Sequence, residues 1–374
     1  MSEKFRIHLL APAENERTRE LYRSVFSEDS REFVEYYYRY KTRENRIYAA
    51  EDGNGEIVSM LHLNPYLMRQ GAREAFGQYV VAVATRESCR RQGLMRSLLK
   101  LSLEDMRRAG EPFAFLMPAS EAIYRPFGFR FVYNQRRADL ILEEYGGRPC
   151  LDCRRAEKRD LDALSEFAEV YFQRHYQTYA IHTPEYFESL LEEQRCQKGE
   201  IVLMLERGEI RGYFFTAFEG GAEIREPVAE EGYEELLLSS AAAYLGGHGK
   251  ARLLGADKHL PVLQKETPLI MARITNPEWF AAGLTADEPV ELCFRLVDEL
   301  LPENSGVYRF CADSRGGSMR KQEGAEVLFS VSAGELTALA FGSLSSAEAG
   351  LPAAAADAWA KVRTCAPVFL NEVV

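Results

Sequence analysis

Four arginines flank a Gln-Gly pair where an apolar run gives way to an amphipathic helical pattern: Arg86, Arg90, Arg91 and Arg96. A helix N-terminus has unpaired N–H groups and a partial positive charge, so cations are normally disfavoured there. A bound phosphate reverses that preference, because its charge attracts the amides and the guanidinium groups together. Gly93 would let the backbone approach such an anion without a Cβ in the way. The segment is therefore a candidate pyrophosphate-binding loop.

A structural explanation of the same arginines stays open at this point. Their side chains can be solvated, or they can form salt bridges with Glu87 and Glu104. A Rossmann or P-loop nucleotide site is disfavoured, because the chain has neither Gly-x-Gly-x-x-Gly nor Gly-Lys-Ser/Thr. The loop by itself supports anion binding and a solvated surface equally well.

The flanking pattern predicts the elements that must position this loop. An apolar strand over Phe76–Thr85 precedes it, and a helix over Gly93–Ala109 follows it. Leucines and methionines at helical spacing give that helix one buried face. A buried strand over Phe113–Pro118 comes next, and "SEAIYRPFGFRFVY" then predicts a short helix, a glycine turn and a further strand. The loop is thus expected in a strand–helix–strand unit.

Upstream of this unit the sequence predicts helices and an antiparallel meander. A strand at Phe5–Leu10 precedes helices at Glu16–Phe26 and Arg31–Tyr40. A hairpin then joins Arg46–Glu51 to Glu56–Leu67 around "DGNGE", whose Asp-Gly and Asn-Gly pairs favour tight turns.

A linker-like stretch, "EEYGGRP", precedes a fainter repeat of the same plan. Its predicted elements are helices at Asp160–Tyr171 and Pro184–Glu193, strands at Ile201–Glu206, Ile210–Phe218 and Ala222–Val228, and a helix at Glu234–Leu245. This second copy has no arginine cluster and no Gly-x-Gly element before its long helix. It is expected to be a structural partner rather than a second active site.

The chain beyond about Asp287 differs from both copies. Four short strands are predicted there, at Val290–Asp298, Gly306–Ala312, Ala325–Val331 and Leu336–Gly342. "LPAAAADAWAKV" then predicts a helix with proline near its start, and the mostly apolar "APVFLNEVV" indicates a packed tail. We expect a small α+β domain.

Length and composition set the outer limits. A chain of 374 residues exceeds what one hydrophobic core usually organises, so two or three domains are expected. Hydrophobic content of 46% and charged content of 28% are typical of a soluble globular protein. The N-terminus has no apolar signal core, and no run approaches transmembrane length, so we expect a cytoplasmic protein without membrane association.

Cysteine usage and charge narrow the function classes. The seven cysteines are odd in number and scattered, which favours reduced thiols, and the single Cys-x-x-Cys has no second pair that would suggest zinc or redox work. The net charge of −11 disfavours nucleic-acid binding and would attract cationic ligands, although many cytosolic proteins are simply acidic. We therefore expect no nucleic-acid partner and no bound metal.

The run "VAVATRESCRRQGLMRSLL" resembles motif A of the GNAT superfamily of acyl-CoA-dependent N-acetyltransferases, whose Arg/Gln-x-x-Gly-x-Gly/Ala pattern falls on Arg90–Met95. Met95 departs from it, since Gly or Ala is usual there. Together with "MPASEAIYRPFGF", the sequence is similar to the Eis (enhanced intracellular survival) acetyltransferases. That family combines an active GNAT domain, a degenerate second one and a sterol-carrier-protein-like C-terminal domain. The resemblance implies a mixed α/β (α+β) fold with domains at residues 1–146, 147–286 and 287–374.

The resemblance also implies a set of site residues and acetyl-CoA as co-substrate. The strand before the loop would pair through its backbone with the pantetheine arm, with Val83 the best single candidate among Val81, Val83, Ala84 and Thr85. The pyrophosphate would lie on the amides of Arg91, Gln92, Gly93, Leu94, Met95 and Arg96. Ser120 and Glu121 match a position beside the cofactor, and Tyr124 falls where the family places its general acid.

Thioester chemistry suits a phenol at position 124. Acetyl transfer expels a thiolate whose conjugate acid has a pKa of about 8.5, whereas a phenol has a pKa of about 10. Tyr124 is therefore protonated at neutral pH and can donate its proton to the sulfur. The alternative is an ordinary buried aromatic that packs with Phe127 and Phe129.

The acceptor amine needs a base, because a lysine-like amine has a pKa of about 10.4 and arrives protonated. The resemblance implies that the chain's terminal carboxylate, on Val374, takes this proton, and burial would raise its pKa and make it a better base. The alternative bases are the side chains of Glu121 and His62, which would accept the proton directly or through a water molecule. A histidine on a strand is more often a core residue.

The sequence therefore predicts an acetyl-CoA-dependent N-acetyltransferase. Its acceptor would be a primary amine, as in an aminoglycoside, a polyamine or a lysine-like peptide, which attacks the thioester directly. The alternative is a non-catalytic CoA- or lipid-binding protein that acts through its sterol-carrier-like domain. The resemblance also implies a homo-oligomer, for which a hexamer is one form found in the family.

Overall fold

The computed structural model describes residues 5–218 and 220–372. The chain forms two compact units, which we describe separately. The first comprises the described residues of Met1–Tyr133, Tyr176–Ala180 and Leu269–Val374, and the second comprises those of Asn134–His175 and Ile181–Pro268. Within the described ranges, no helix is both long enough and apolar enough to cross a membrane.

Strands and helices occur throughout the described residues. The strands are β1 (Arg6–Leu9), β2 (Arg46–Glu51), β3 (Ile57–Gln70), β4 (Arg73–Thr85), β5 (Phe113–Leu116), β6 (Arg130–Ile141), β7 (Asp152–Arg155), β8 (Thr178–Ala180), β9 (Ile201–Glu206), β10 (Glu209–Ala217), β11 (Ala222–Ala229), β12 (Lys250–Leu254), β13 (Lys265–Ile274), β14 (Thr285–Ala286), β15 (Val290–Val297), β16 (Gly306–Asp313), β17 (Gly316–Lys321), β18 (Phe329–Ser332), β19 (Val362–Arg363) and β20 (Val368–Phe369). The α-helices are α1 (Arg19–Val25), α2 (Arg31–Arg39), α3 (Leu94–Ala109), α4 (Glu121–Tyr124), α5 (Leu161–His175), α6 (Pro184–Cys196), α7 (Glu234–Tyr244), α8 (Pro277–Ala281), α9 (Ala333–Ala340) and α10 (Ala353–Trp359).

The first unit is built on a sheet that draws strands from both ends of the chain. β1, β2, β3 and β4 are antiparallel neighbours, and β5 is parallel to β4. The C-terminal half of β13 pairs antiparallel with β5, and β8 links the end of β3 to β20. Residues from the last third of the chain therefore complete the sheet that carries the predicted loop.

Helix α3 covers one face of this sheet, and its apolar spacing explains why. Leu98, Leu99, Leu103 and Met106 are fully buried, and they belong to one core cluster with Leu61, Leu63 and Val80 of the sheet. Burying each such side chain stabilises the fold by about 1.5–3 kcal/mol. The helix ends at Gly110, whose φ of +75° is the left-handed conformation that glycine adopts without strain. The predicted helix is thus confirmed.

The second unit repeats the strand order of the first. β9, β10 and β11 form an antiparallel meander, α7 follows, and β12 returns parallel to β11. β7 pairs with β9 at one edge, and the C-terminal part of β6 pairs with β12 at the other. The faint repeat read from the sequence is present as the same succession of meander, helix and parallel strand.

The C-terminal region contains a four-stranded sheet in the order β17, β16, β15, β18. The predicted strand at Leu336–Gly342 is wrong, because these residues lie mainly in helix α9. Ser332 and Glu335 form a capping box that begins this helix, and its residues are buried on every side. A short apolar run without periodicity cannot distinguish such a buried helix from a strand.

Candidate active site

Strand β4 has a bulge next to the predicted loop. Met60 pairs with Ala84 and His62 pairs with Val81, so Leu61 lies opposite two residues of β4. The first of these two is Ala82, whose φ of +50° is left-handed although it is not a glycine. Such a conformation costs about 1–3 kcal/mol and persists only where the surrounding structure imposes it, often at functional sites.

The bulge lies where β4 and β5 separate. The parallel pairing of the two strands covers Gln78 and Tyr79, whereas β4 continues to Thr85 along β3. The predicted pantetheine-binding residues occupy that continuation, with Val81, Val83 and Thr85 half-buried and Ala84 buried. A strand edge that diverges from its neighbour offers backbone N–H and C=O groups to an extended ligand.

The loop between β4 and α3 has the backbone of an anion site. Arg91 adopts a φ of +59° and Gly93 a φ of +77°, so two of its residues are left-handed. A Cβ at Gly93 would meet no atom within 4 Å, so the backbone conformation rather than lack of space favours glycine there. Among the residues that the structure describes, no side chain caps the N-terminus of α3, so its first amides can bind an anion.

Within residues 5–218 and 220–372, the arginines of this loop form no salt bridge with Glu87 or Glu104, so a solvated surface and an anion site are the two explanations that remain. Arg86 pairs with Glu56 at 3.0 Å, and Arg90 donates to the backbone oxygen of Thr85 at 3.2 Å. The guanidinium of Arg96 lies over the ring of Phe127, 5.6 Å from its centroid. Arg90, Arg91 and Arg96 are all exposed, while the salt-bridge partner of Glu104 is Lys100. Three guanidinium groups therefore face solvent around an uncapped helix N-terminus.

Tyr124 ends the short helix α4 and is buried. Its ring packs edge-on against Phe129, with the centroids 5.9 Å apart, and it belongs to the α3 core cluster. Burial raises the pKa of Tyr124 to about 12, because the phenolate would lose its hydration. Within residues 5–218 and 220–372, no group hydrogen-bonds the Tyr124 hydroxyl. The residue is thus both a packed aromatic and a neutral phenol with a proton to donate.

A family model matches the segment that carries β4, the arginine loop and Tyr124. Residues 6–132 match the family model of the acetyltransferase (GNAT) domain. This segment is a GNAT domain. Among curated proteins, none matches the chain in sequence.

Solved structures share the fold over nearly the whole chain. A probable N-acyltransferase from Enterococcus faecalis V583 is 16% identical with a TM-score of 0.78, and the match covers 96% of this chain and 93% of that one. A GCN5-related N-acetyltransferase from Kribbella flavida is 18% identical with a TM-score of 0.78, covering 99% and 100%. Eis1 from Mycobacterium abscessus is 17% identical with a TM-score of 0.69, covering 98% and 100%. At these identities the likeness concerns the fold.

Two further predicted cofactor contacts lie at the start of α4 in the GNAT domain. Ser120 is exposed and precedes the helix without a side-chain cap. Glu121 accepts a hydrogen bond from Arg125 at 2.5 Å, and its side chain is 41% exposed. The carboxylate of Glu121 is therefore engaged by a cation on its own helix face, which lowers its value as a base.

His62 is a core histidine of the GNAT domain. It is fully buried, its Nδ1 lies 3.0 Å from the Tyr37 hydroxyl, and its ring stacks on Tyr37. Burial lowers the pKa of His62 to about 3, so the imidazole is neutral at physiological pH. Such a weakly basic group is a poor candidate for accepting a proton from an ammonium ion.

The predicted base, Val374, lies outside the described residues. The tail leading to it is packed in the first unit, as the apolar sequence indicated. β20 pairs with β8, Phe369 packs against Tyr133 and Tyr176, and Leu370 and Glu372 are buried. The terminal carboxylate as general base stays a prediction.

The sequence pattern missed the bulge at Ala82. A bulge adds one residue to a strand without changing its apolar character, so hydrophobic patterning does not reveal it. The run "VVAVAT" offered one signal, because two adjacent valines break a strict alternation. Within the described residues, no group of three or more His, Cys, Asp or Glu side chains is arranged to hold a metal ion.

Proposed function

We propose that this protein is an acetyl-CoA-dependent N-acetyltransferase that transfers an acetyl group to a primary amine by direct attack on the thioester. One observation carries the proposal. A single GNAT domain combines a bulged, diverging β4, an arginine loop at an uncapped helix N-terminus, and a buried phenol whose hydroxyl has no hydrogen-bond partner among residues 5–218 and 220–372.

The residues present fit the cofactor. The diphosphate would lie on the amides of Arg91–Arg96, where two left-handed residues turn the backbone and exposed guanidinium groups add positive charge. The pantetheine amides would pair with the edge of β4 at Val81–Thr85. Acetyl-CoA supplies an activated acyl group when bound, and the chain's own groups hold and orient it.

Tyr124 would act as general acid in the transfer. The neutral amine forms a C–N bond to the acyl carbon, the C–S bond breaks, and the phenol donates its proton to the departing sulfur. With its pKa raised to about 12, Tyr124 stays protonated across the physiological range. The proton that the acceptor loses before attack would go to a base, for which the Val374 carboxylate remains our candidate.

The proposal also includes the other features of the Eis-like family: a second GNAT copy, a C-terminal domain and an oligomer. The second unit repeats the meander, helix and parallel strand of the GNAT domain, and this favours a degenerate GNAT copy. A sterol-carrier-like C-terminal domain, boundaries at 146 and 286, a cytoplasmic location and a homo-oligomer stay predictions. A non-catalytic CoA- or lipid-binding role is not favoured, because the matched segment is an acetyltransferase domain.

Two measurements test the proposal together. Calorimetric titration with CoA should show saturable binding, and a thiol-release assay should show turnover of acetyl-CoA with members of an amine panel. The panel comprises aminoglycosides, polyamines and lysine peptides. CoA binding without turnover on any amine would favour the non-catalytic role. The absence of both binding and turnover would refute the proposed activity and the CoA-binding role.

A further inference from the structure

Arg273 forms a buried ion pair in the first unit. Its guanidinium is 1% exposed, and its Nη2 donates to both oxygens of Asp298 at 2.7 Å. Asp298 also accepts from the backbone amides of Leu300 and Leu301 and from the side chain of Asn304. With this many donors the Asp298 carboxylate is fixed in place, and it fixes the guanidinium in turn.

The second arm of this guanidinium reaches the turn that follows Tyr124. Nη1 of Arg273 donates a hydrogen bond to the backbone oxygen of Phe127. The next residue, Gly128, has a φ of +84°, and a Cβ there would overlap with Nη1 of Arg273. Arg273 is thus packed directly against the backbone of the turn.

The turn at Phe127–Gly128 in turn fixes the position of Tyr124. The amide of Phe129 donates to the backbone oxygen of Tyr124 at 3.4 Å, and the Phe129 ring packs edge-on against the Tyr124 ring. The backbone of Tyr124 and one face of its ring are therefore set by a turn whose conformation Arg273 supports. Arg273 itself lies on β13, at the position opposite Ala114 of β5.

We propose that Arg273 is a positioning residue for the general acid: its guanidinium, clamped by Asp298, holds the turn at Phe127–Gly128 and thereby aims the Tyr124 hydroxyl at the departing sulfur. The inference rests on the proposed function. A planar guanidinium can satisfy Asp298 and the Phe127 oxygen together, because its donors form a rigid fork, whereas a lysine ammonium is a point charge on a flexible stem. Arginine is therefore specifically required.

The test is a double-mutant cycle on kcat for acetyl transfer. Arg273→Lys keeps a cation opposite Asp298 but loses the fixed donor to the turn. We expect kcat to fall about tenfold to hundredfold, because a small misplacement of a catalytic group costs that much, while CoA affinity is retained. In the Tyr124→Phe background the same substitution should leave kcat unchanged, because the acid that it positions is already absent.

Gly128→Ala perturbs the same turn by changing the turn itself rather than Arg273. It replaces Arg273→Lys in the test if that variant does not fold. It removes neither partner of the ion pair, but it introduces a Cβ at a left-handed residue, where the Cβ would overlap with Nη1 of Arg273. The same loss of kcat is expected, again absent in the Tyr124→Phe background. Arg46→Lys is the matched control, because Arg46 on β2 also forms an ion pair, with Glu111 at 2.5 Å. This substitution should change kcat in neither background.

The outcomes separate the two hypotheses. If Arg273→Lys and Gly128→Ala lower kcat by equal factors with and without the Tyr124 hydroxyl, they act independently of the acid, and the inference is wrong while the proposed function stands. If Tyr124→Phe by itself leaves kcat unchanged, Tyr124 is not the acid, and the positioning role of Arg273 is wrong as well, whereas acetyl transfer to an amine stands. If neither turn variant lowers kcat, the positioning role is refuted.

Discussion

The two units carry the same bulge in the same strand and use it differently. β4 and β11 are each the third strand of an antiparallel meander that precedes a helix and a parallel strand. In β4 the left-handed bulge residue is Ala82, with a φ of +50°, and in β11 it is Glu226, with a φ of +48°. The bulge is therefore a property of the repeated fold, and it does not by itself indicate an active site.

The side chain at the bulge differs between the units. Ala82 presents a methyl group. Glu226 is 2% exposed and is bonded by the Tyr213 hydroxyl at 2.7 Å and by His182 Nε2 at 2.8 Å. In the second unit, a closed polar network therefore occupies the space beside the bulge.

The loops that follow the two bulges have opposite charge. The first contains Arg90 and Arg91 ahead of Gly93, whereas the second contains Glu230 and Glu231 ahead of Gly232, whose φ is +90°. Both loops keep a left-handed glycine before the helix, so the backbone plan is retained while the charge that would bind a diphosphate is reversed. The two units therefore share a backbone plan, while they differ in the charge of the loop and in the side chain at the bulge.

In our proposal, the second unit has no general acid that corresponds to Tyr124. Removing the Tyr124 hydroxyl should therefore have the largest effect. Tyr124→Phe should lower kcat about 100-fold to 10,000-fold, the usual contribution of a general acid, with CoA affinity unchanged. Single-turnover kinetics and CoA titration measure the two quantities. Tyr40→Phe, at a tyrosine that is 39% exposed, is the control and should retain full activity. An unaltered kcat in Tyr124→Phe would remove this residue from the mechanism.

Making the first loop acidic like the second should strongly weaken its affinity for CoA. The variant Arg90→Glu/Arg91→Glu should weaken CoA binding about 100-fold or more, because each charge-assisted contact contributes about 1.5–3 kcal/mol. Calorimetry at fixed ionic strength measures the change in Kd. Arg148→Glu/Arg159→Glu makes the same change in net charge at exposed positions of the second unit and should leave Kd unaltered. Equal effects of the two variants would mean that net charge alone matters.

Opening the polar network in the second unit should affect stability but not catalysis. Glu226→Ala removes the acceptor of two buried donors, and each unsatisfied buried group costs about 1–3 kcal/mol. Denaturant unfolding should therefore show a lower free energy of unfolding for that unit, with kcat per folded molecule unchanged. Glu231→Gln, at an exposed position, should alter neither quantity. A specific loss of kcat in Glu226→Ala would indicate that the second unit takes part in the reaction.

The smallest expected effect is a flat alkaline limb in the pH profile. Because burial raises the pKa of Tyr124 to about 12, the acid form persists well above the pKa of about 10 of a free phenol. We expect kcat to show no decline between about pH 8 and pH 10, measured with a saturating amine. A decline with a midpoint near pH 10 that disappears in Tyr124→Phe would show that the phenol is more exposed during turnover.

Local features of the fold were predictable from the sequence, whereas long-range ones were not. The helix α3 and the hairpin strands follow from apolar spacing and turn residues within single stretches of chain. The loop at Gly93 was readable because its arginines contradict a helix N-terminus. Helix α9 was misread as a strand, since its burial on all sides removes the periodicity that identifies a helix.

The parts of the site that depend on distant residues could not be read in advance. Arg273 reaches the turn after Tyr124 from a strand that is 146 positions away from Phe127 in the sequence. Nothing in the spacing of Arg273 or Asp298 indicates that they pair, because such contacts depend on how whole strands are ordered in a sheet. The sequence therefore indicates the arginine loop and Tyr124 as candidates, but it does not indicate the contacts that position Tyr124.

The sheet of the first unit has a consequence for how the protein is made. β5 is bordered by β13, and β3 is extended through β8 to β20, so strands from the last third of the chain complete it. During synthesis, β5 lacks its neighbour β13 and β3 lacks its link through β8 to β20. The N-terminal sheet therefore stays incomplete while more than half of the chain is translated. Pairings this remote close slowly, because their loop entropy must be overcome first. We therefore expect the sheet of the first unit to be completed only after translation of β20.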